Sequence, residues 1–412
     1  MYYSLDSMIS FNSYLNEECI VYLESFKKSE QGFYEKAYID FRTIRDRNIF
    51  NKVIFGGVDK LNNGKVIDIA TIIELSGLKT SKRLVRGSYY KLNLQLLQGY
   101  NIELNNDSLI IGAHYNLRNM PIPNNDDNEL LQRHSPVLPS TNYFSTSTPI
   151  ESGLVKTERI NKVKVQNVGQ ANWNELLYDD KIVILFDAGA ELRAKKKEVQ
   201  DFISSKEQVL KSSKPILIIS HWDLDHVHCL KMLDEHLVSK YFSILICPNR
   251  IKSLTYSNII LTFKNALGGD KVFAMTPPRK GTELPKRLKL SNSIFSLYIG
   301  EASRNINYCG LILYVKGERM SCNLTGDCRL SQAKEIYDYE KPKSNHHFLI
   351  APHHGGDCGI NYRQYSLPCD LIAISVGDSN PYGHPQKDML KYLKGMGKVK
   401  QTNIDGDIIQ EI

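Results

Sequence analysis

The sequence predicts an α/β protein: an α/β domain over residues 153–412, preceded by an α-rich N-terminal region over residues 1–119. Three observations lead there. From Ile160 onward, short apolar runs of strand length alternate with helical stretches, the pattern of an α/β domain. Residues 120–152 break the chain, with Pro121, Pro123, Pro136, Pro139 and Pro149 set among Asn, Asp, Ser and Thr, as in a linker or long surface loop. The apolar run Pro215 to Ile219 reads as a buried strand and ends on Ser220-His221-Trp222-Asp223-Leu224-Asp225-His226, which places four metal-grade side chains within six positions.

Taken in order, Ile20 to Phe26 and Tyr34 to Ile44 carry apolar and aromatic residues at helical spacing. Ile67 to Leu75, then Ser76-Gly77, then Thr80 to Leu97 read as a helical hairpin. Lys79, Lys82, Arg83 and Arg86 add a faint resemblance to a helix-turn-helix. Leu109 to Ala113 is a candidate strand, and no catalytic motif appears before residue 120. Past the break, Val163 and Val165 alternate with polar residues as a half-buried strand should. Gly169 to Asn174 reads as a turn, Ile182 to Phe186 as a strand ending on Asp187-Ala188-Gly189, and residues 191–213 as a surface helix. Val227 to Leu237 reads as a helix. Further strands are expected at Phe242 to Cys247, Phe295 to Ile299, Leu311 to Val315, Met320 to Leu324, Phe348 to Ile350 and Leu371 to Val376. His346 and His347 precede one of these and read as loop residues.

Carboxylates crowded at a strand end repel one another, and burying them unpaired is costly, so a bound cation is their natural partner. The alternative, a capped loop with solvated acids, leaves the later His and Asp motifs unexplained. Composition is that of a globular chain, with 42% apolar and 24% charged residues. Residues 1–150 hold 16 Lys+Arg and 16 Asp+Glu, whereas residues 151–412 hold 36 and 29, so the net charge of +7 lies wholly in the half that carries the motifs. That excess favours an anionic substrate such as a phosphodiester or nucleic acid over a neutral one. Arg279, Lys280, Lys286, Arg287 and Lys289 form a basic segment suited either to a phosphate backbone or to a solvated loop. Eight cysteines with no CxxC pair read as reduced thiols of a cytoplasmic protein. No signal peptide is expected, and no membrane span, because no run approaches 18 apolar residues.

In order along the chain, Asp187-Ala188-Gly189, His221-x-Asp223-x-Asp225-His226, Leu324-Thr325-Gly326-Asp327, Ala351-Pro352-His353-His354-Gly355-Gly356 and Asn380-Pro381-Tyr382-Gly383-His384-Pro385 resemble the motifs of the metallo-β-lactamase superfamily. The last three look most like its ComEC-like branch, which includes a DNA-uptake hydrolase domain and is similar to phosphorylcholine esterases. The resemblance covers roughly residues 160–412 and implies an αββα metallo-β-lactamase sandwich with two divalent metal ions at one edge. Carried over, His221, Asp223 and His353 would bind one ion, Asp225, His226 and His384 the other, and Asp327 would bridge them. His353 and His354 are adjacent and either can be the ligand. Many members have His where this chain has Asp223. The interval between the second motif and Asp327 offers only His228 and His236, and the resemblance to the ComEC-like branch implies that His353 supplies the missing donor.

Such a pair of ions can share a hydroxide and lower its pKa towards 7, a hydrolytic device in which Asp225 and Asp327 are catalytic as ligands. Zn²⁺ is the expected metal, and three carboxylates among seven ligands make Mn²⁺ a competitor. Asp187 is the expected support for an imidazole. His354, Asn307 and Tyr382 are candidates for binding substrate oxygens or protonating the leaving group. The resulting expectation is a metal-dependent hydrolase, a phosphodiesterase or nuclease acting on DNA or RNA. The alternatives are a hydrolase of a small phosphodiester, phosphorylcholine-type ester or lactone, and a protein whose N-terminal region binds a partner or nucleic acid while the other half regulates it.

Overall fold

The computed structural model describes residues 2–3, 19–28, 34–55, 72–76, 78, 83–94, 96–103, 110–115, 131–134 and 159–412 apart from 304, 360, 379 and 381. Two compact units emerge. One is Met1–Thr141 together with Lys195–Lys197 and Lys252–Asn258, and the other holds the remainder.

The first unit is built on a sheet, which corrects the α-rich expectation. Its strands are β1 Tyr2–Tyr3, β2 Cys19–Lys28, β3 Tyr34–Phe41, β4 Ile72–Ser76, β5 Tyr89–Leu92, β6 Tyr100–Glu103, β7 Ile110–Tyr115 and β8 Leu131–His134, in the order β1-β6-β7-β4-β3-β2-β5-β8. The helix Ile44–Phe55 accompanies them. In β3 the residues Tyr34, Ala37, Tyr38 and Phe41 mimic helical spacing. Both faces of that strand are buried over its second half, so nearly every position is apolar and spacing loses its meaning. The β-branched and aromatic content of β2 then decides for a strand. The helix-turn-helix reading fails with it, because β4 and β5 stand where its two helices were expected; Lys79 and Lys82 lie outside the described residues. The strand expected at Leu109 to Ala113 is β7, paired in parallel with β4. Within the stretch read as a linker, Leu131–His134 is a strand paired with β5.

The second unit holds two seven-stranded sheets. The first comprises β9 Lys162–Val165, β10 Trp173–Tyr178, β11 Lys181–Ala188, β12 Ile216–Ile218, β13 Ile244–Pro248, β14 Val272–Met275 and β22 Ile408–Glu411, in the order β14-β13-β12-β11-β10-β9-β22. The second runs in sequence order from β15 Leu288–Ser291 through β16 Phe295–Ile299, β17 Leu311–Val315, β18 Ser321–Leu324, β19 His347–Ile350 and β20 Leu371–Ile374 to β21 Lys398–Gln401. One apolar core joins their inner faces: Val163, Ile184, Phe186 and Ile218 from one, and Leu297, Leu313, Phe348 and Ile350 from the other.

Alternation fixes the layers. In β19, Phe348 and Ile350 enter that core, while Leu349 faces outward onto Leu330 and Ala333 of the helix Leu330–Glu340 and Leu393 of the helix Lys387–Met396. On the other sheet Trp173 meets Phe202 of the helix Lys196–Ser213, with ring centroids 4.9 Å apart. Helices thus cover both outer faces, the αββα arrangement expected of residues 153–412. Strand β12 is parallel to both neighbours and buried on both faces, which is why it reads as an unbroken apolar run.

The chain departs from the sequence reading in details. The segment read as a turn at Gly169 to Asn174 runs into β10. Val227 to Leu237 is a succession of short helical turns rather than one helix. His347 lies inside β19 and is fully buried, not in a loop. Arg287 of the basic segment is buried and paired with Glu335, so it anchors a helix instead of facing solvent. All eight cysteines are buried and none forms a disulfide. Among the described residues no helix is long and apolar enough to cross a membrane.

Candidate metal centre

The motifs meet where strands end. β11 closes on Asp187 and β12 leads into Ser220–His226, while β18 leads into Asp327 and β19 into His353-His354. Parallel strands deliver side chains at their carboxyl ends, so neighbouring strands share one site. Asp187, His353 and His354 have left-handed backbones, with φ of 64°, 50° and 53°. Each such residue costs about 1–3 kcal/mol and persists where the surroundings demand it. The motif glycines allow the approach. A Cβ on Gly189 would lie 1.8 Å from the carbonyl oxygen of Asp225, and one on Gly326 would lie 2.6 Å from Ser220 Oγ.

Asp327 stands at the centre. Its Oδ2 is 3.5 Å from His221 Nε2 and 3.4 Å from His353 Nε2. Its Oδ1 is 3.2 Å from His226 Nε2 and 4.0 Å from His354 Nε2. Asp223 Oδ2 joins the first side, 3.1 Å from His221 Nε2. Asp225 joins the second, 3.3 Å from His354 Nε2 and 3.9 Å from His226 Nε2. The sets His221, His226, Asp327 and Asp225, His226, His354 each bring their donor atoms within 4.8 Å of one another, the spacing of a shared cation.

Every imidazole is held from behind by Nδ1. His226 Nδ1–H donates to Asp187 Oδ2 at 2.8 Å, and His354 Nδ1–H donates to the Ser375 carbonyl at 2.7 Å. His353 Nδ1–H donates to the Asp357 carbonyl at 3.0 Å. Ser220 Oγ–H donates to Asp187, so its oxygen accepts from His221 Nδ1–H at 3.0 Å. Carbonyl and carboxylate partners force the proton onto Nδ1 and leave each Nε2 lone pair facing inward. Buried there, Nε2 of His221, His226 and His354 and Oδ1 of Asp327 have no hydrogen-bond partner. Polar atoms sealed from water without partners are costly, and a cation at their common focus removes that cost.

Charge points the same way. Burial and the neighbouring His226 depress the His221 imidazole, but the Asp223 and Asp327 carboxylates outweigh them and hold it up at about 9. Burial opposes the His226 cation too, yet Asp187, Asp327 and Asp225 raise it well above its ordinary value. Burial pushes the Asp327 carboxyl up, and the imidazoles of His353, His226 and His221 more than reverse this. The cluster therefore draws positive charge, which protons supply when no cation does. Four imidazoles and three carboxylates suit divalent ions.

Seven of the expected residues thus come together: His221, Asp223, Asp225, His226, Asp327, His353 and His354. His354, expected either as the metal ligand in place of His353 or to serve substrate, stands beside Asp225, where the resemblance implied His384. Two consecutive left-handed residues fold the chain so that both imidazoles face Asp327. The His384 ring lies against His353, with centroids 5.1 Å apart, and against Tyr382 at 5.8 Å. Asn307 reaches the centre by donating from Nδ2 to Asp327 Oδ2 at 2.9 Å. His228 turns away: its Nδ1 donates to the Glu191 carbonyl at 3.0 Å, and burial with the nearby Lys231 charge takes it down to about 3. Two residues escaped the sequence reading. Ser220 links Asp187 to His221, and Asn172 Nδ2 lies 3.4 Å from His226 Nδ1. Ser220 heads the Ser220–His226 stretch, but nothing in the pattern marks a serine as the link between an imidazole and the carboxylate that supports its neighbour.

The site is a buried cluster of metal donors on an αββα sandwich. No family model matches the chain, and no curated protein does. Among solved structures it is similar to Tm1679, a metal-dependent hydrolase of the beta-lactamase superfamily, at 10% identity and a TM-score of 0.38 over 61% of this chain and 99% of that one. It is also similar to the metallo-beta-lactamase fold protein YhfI from Bacillus subtilis, at 12% identity and a TM-score of 0.35 over 60% of this chain and 99% of that one. Human tRNase Z, short form, matches at 12% identity and a TM-score of 0.33 over 58% of this chain and 90% of that one.

Proposed function

We propose that this chain is a metal-dependent hydrolase of the metallo-β-lactamase superfamily, in its ComEC-like branch, that cleaves phosphodiesters in DNA or RNA in the cytoplasm. The observation that carries the hydrolase reading is the set of four imidazoles, each fixed through Nδ1 with Nε2 turned towards Asp327 or Asp225. Its motif order and its αββα layers support the superfamily assignment. The positive excess of residues 151–412 supports an anionic substrate.

His221, Asp223, His353 and Oδ2 of Asp327 would hold one divalent ion, and Asp225, His226, His354 and Oδ1 of Asp327 the other. When bound, such a pair lowers the pKa of water towards 7 and stabilises charge on the attacked phosphoryl oxygens. The chain's own residues do the rest. Asp327 sets the separation of the two halves, and Asp187 and Ser220 hold His226 and His221 in one tautomer. His384 and Tyr382, stacked beside the more exposed His353, are placed to meet substrate or a leaving group.

The test is incubation of the purified protein with single- and double-stranded DNA and RNA in Zn²⁺ or Mn²⁺, alongside a chromogenic phosphodiester. Cleavage of a nucleic acid is expected. Turnover of the chromogenic ester alone would move the substrate to a small phosphodiester, and no turnover with metal bound would overturn the phosphodiesterase reading.

A further inference from the structure

Asp327 has two oxygens, and the structure treats them differently. Oδ1, which faces His226 and His354, has no hydrogen-bond partner. Oδ2, which faces His221 and His353, accepts the Asn307 amide at 2.9 Å. Asn307 is itself buried, and it begins a short 3-10 turn, Asn307–Cys309. That turn is tied down from several directions. Asn305 Oδ1 accepts the Asn307 backbone N–H at 3.1 Å, and Gln332 Nε2 donates to the Tyr308 carbonyl at 3.1 Å. Tyr308 Oη–H donates to Asp357 Oδ2 at 3.2 Å, and the Arg250 guanidinium donates to the Ser303 carbonyl and Cys309 Sγ. Directly after it, Leu311 N–H donates to the Ser220 carbonyl at 2.7 Å, and a Cβ on Gly310 would lie 2.8 Å from that same oxygen. A turn held this firmly fixes the Asn307 amide, and the amide fixes the plane of the carboxylate it meets.

We propose that Asn307 is a positioning residue that makes Asp327 an unequal bridge, an inference that rests on the two-ion reading above. Its amide holds the carboxylate so that each oxygen addresses one half. It also occupies part of the electron density of Oδ2, so the ion beside His221 and His353 receives less from Asp327 than its neighbour does. That ion is the weaker-held and more electrophilic of the two. Loss of the amide returns that density to Oδ2 but also frees the carboxylate to turn, and an oxygen displaced from its ion loses more than the density it regains, so the weaker half is weakened further.

Mn²⁺ titration followed by electron paramagnetic resonance tests this on the full chain. The wild type is expected to bind two Mn²⁺ with unequal affinities and to show exchange coupling between them. Asn307→Leu, close in volume and without a donor, should weaken the second affinity by about 10–100-fold, leave the first unchanged, and diminish the coupling at saturating Mn²⁺. Asn307→Asp, which sets a second carboxylate against Asp327, should also disturb the second ion selectively. The first affinity reports on folding, since a misfolded variant loses both. Unchanged constants and coupling in both variants, equal weakening of both ions in folded protein, or a tighter second ion would overturn the inference while leaving the hydrolase reading intact. A wild type that takes up no Mn²⁺ or Zn²⁺ would overturn both.

Discussion

His226 and His221 occupy matching places on either side of Asp327, yet their Nδ1 atoms meet different partners. His226 donates to the Asp187 carboxylate, which is itself fixed by the Ser220 backbone N–H at 2.6 Å and by the Ser220 hydroxyl at 2.8 Å. His221 donates to the Ser220 hydroxyl alone. The second imidazole on each side repeats the contrast. His354 is buried and held by the Ser375 carbonyl, whereas His353 is 14% exposed and held by the carbonyl of Asp357. One half is sealed and backed by a charge, and the other is more open and backed by neutral groups. A carboxylate behind an imidazole raises its basicity as a ligand. The sealed half should therefore fill first and release last, and substrate should approach from the open half.

Breaking the link between the halves should have the largest effect. Asp327→Ala removes a ligand from both, so metal content should fall from two ions towards none, and hydrolysis should drop by more than about 100-fold, beyond the range typical for residues one layer further out. Elemental analysis of the purified variant measures the first, and initial rates at saturating metal the second. Retention of two ions would show that Asp327 is not the bridge.

Smaller changes on each side sharpen the contrast. Asp187→Asn puts a donor where His226 and Ser220 need an acceptor, and should weaken the tighter ion by roughly 10–100-fold. His353→Ala should cost the weaker ion and spare the tighter one. Chelator competition on the two variants orders the halves. If Asp187→Asn spares the tighter ion while His353→Ala loses it, the assignment of sealed and open halves is reversed.

The sequence revealed this centre unevenly, for physical reasons. His221, Asp223, Asp225, His226 and Asp327 were legible because metal donors crowd at the ends of apolar runs, where no ordinary packing places them. That His353 and His354 both face Asp327, rather than one or the other, was not, because it depends on two consecutive left-handed residues that bring adjacent side chains to one carboxylate. The αββα layers were legible through short runs such as Phe295 to Ile299 and Leu311 to Val315, which match β16 and β17 end for end. The first unit was misread because β3 offers Tyr34, Ala37, Tyr38 and Phe41 at helical intervals while burying most of its length on both faces. Periodicity distinguishes helix from strand only where one face is wet.

Outside the centre, His347 provides the finest test, because its environment reverses the one around His221. It lies in β19 with its ring 4.8 Å from that of Tyr337, and its Nδ1 is paired with Ser321 Oγ at 2.8 Å. Burial depresses it to about 3, against a partial upward pull from Asp370. The carboxylates of the centre instead hold His221 up at about 9. A folded-state pKa below the unfolded one gives stability that is complete above about pH 6.5 and is lost as pH falls towards 3. Between pH 6.5 and 4 the expected loss from His347 is roughly 3 kcal/mol. His347→Gln cannot take up the proton, so its urea midpoint should fall less steeply over that interval than the wild type's. Because His221 and His226 bind protons more tightly when folded, they contribute no such loss there. Parallel acid limbs for the two proteins would mean that His347 is not held neutral, and that the contrast between a carboxylate-lined and an apolar burial site does not govern these imidazoles.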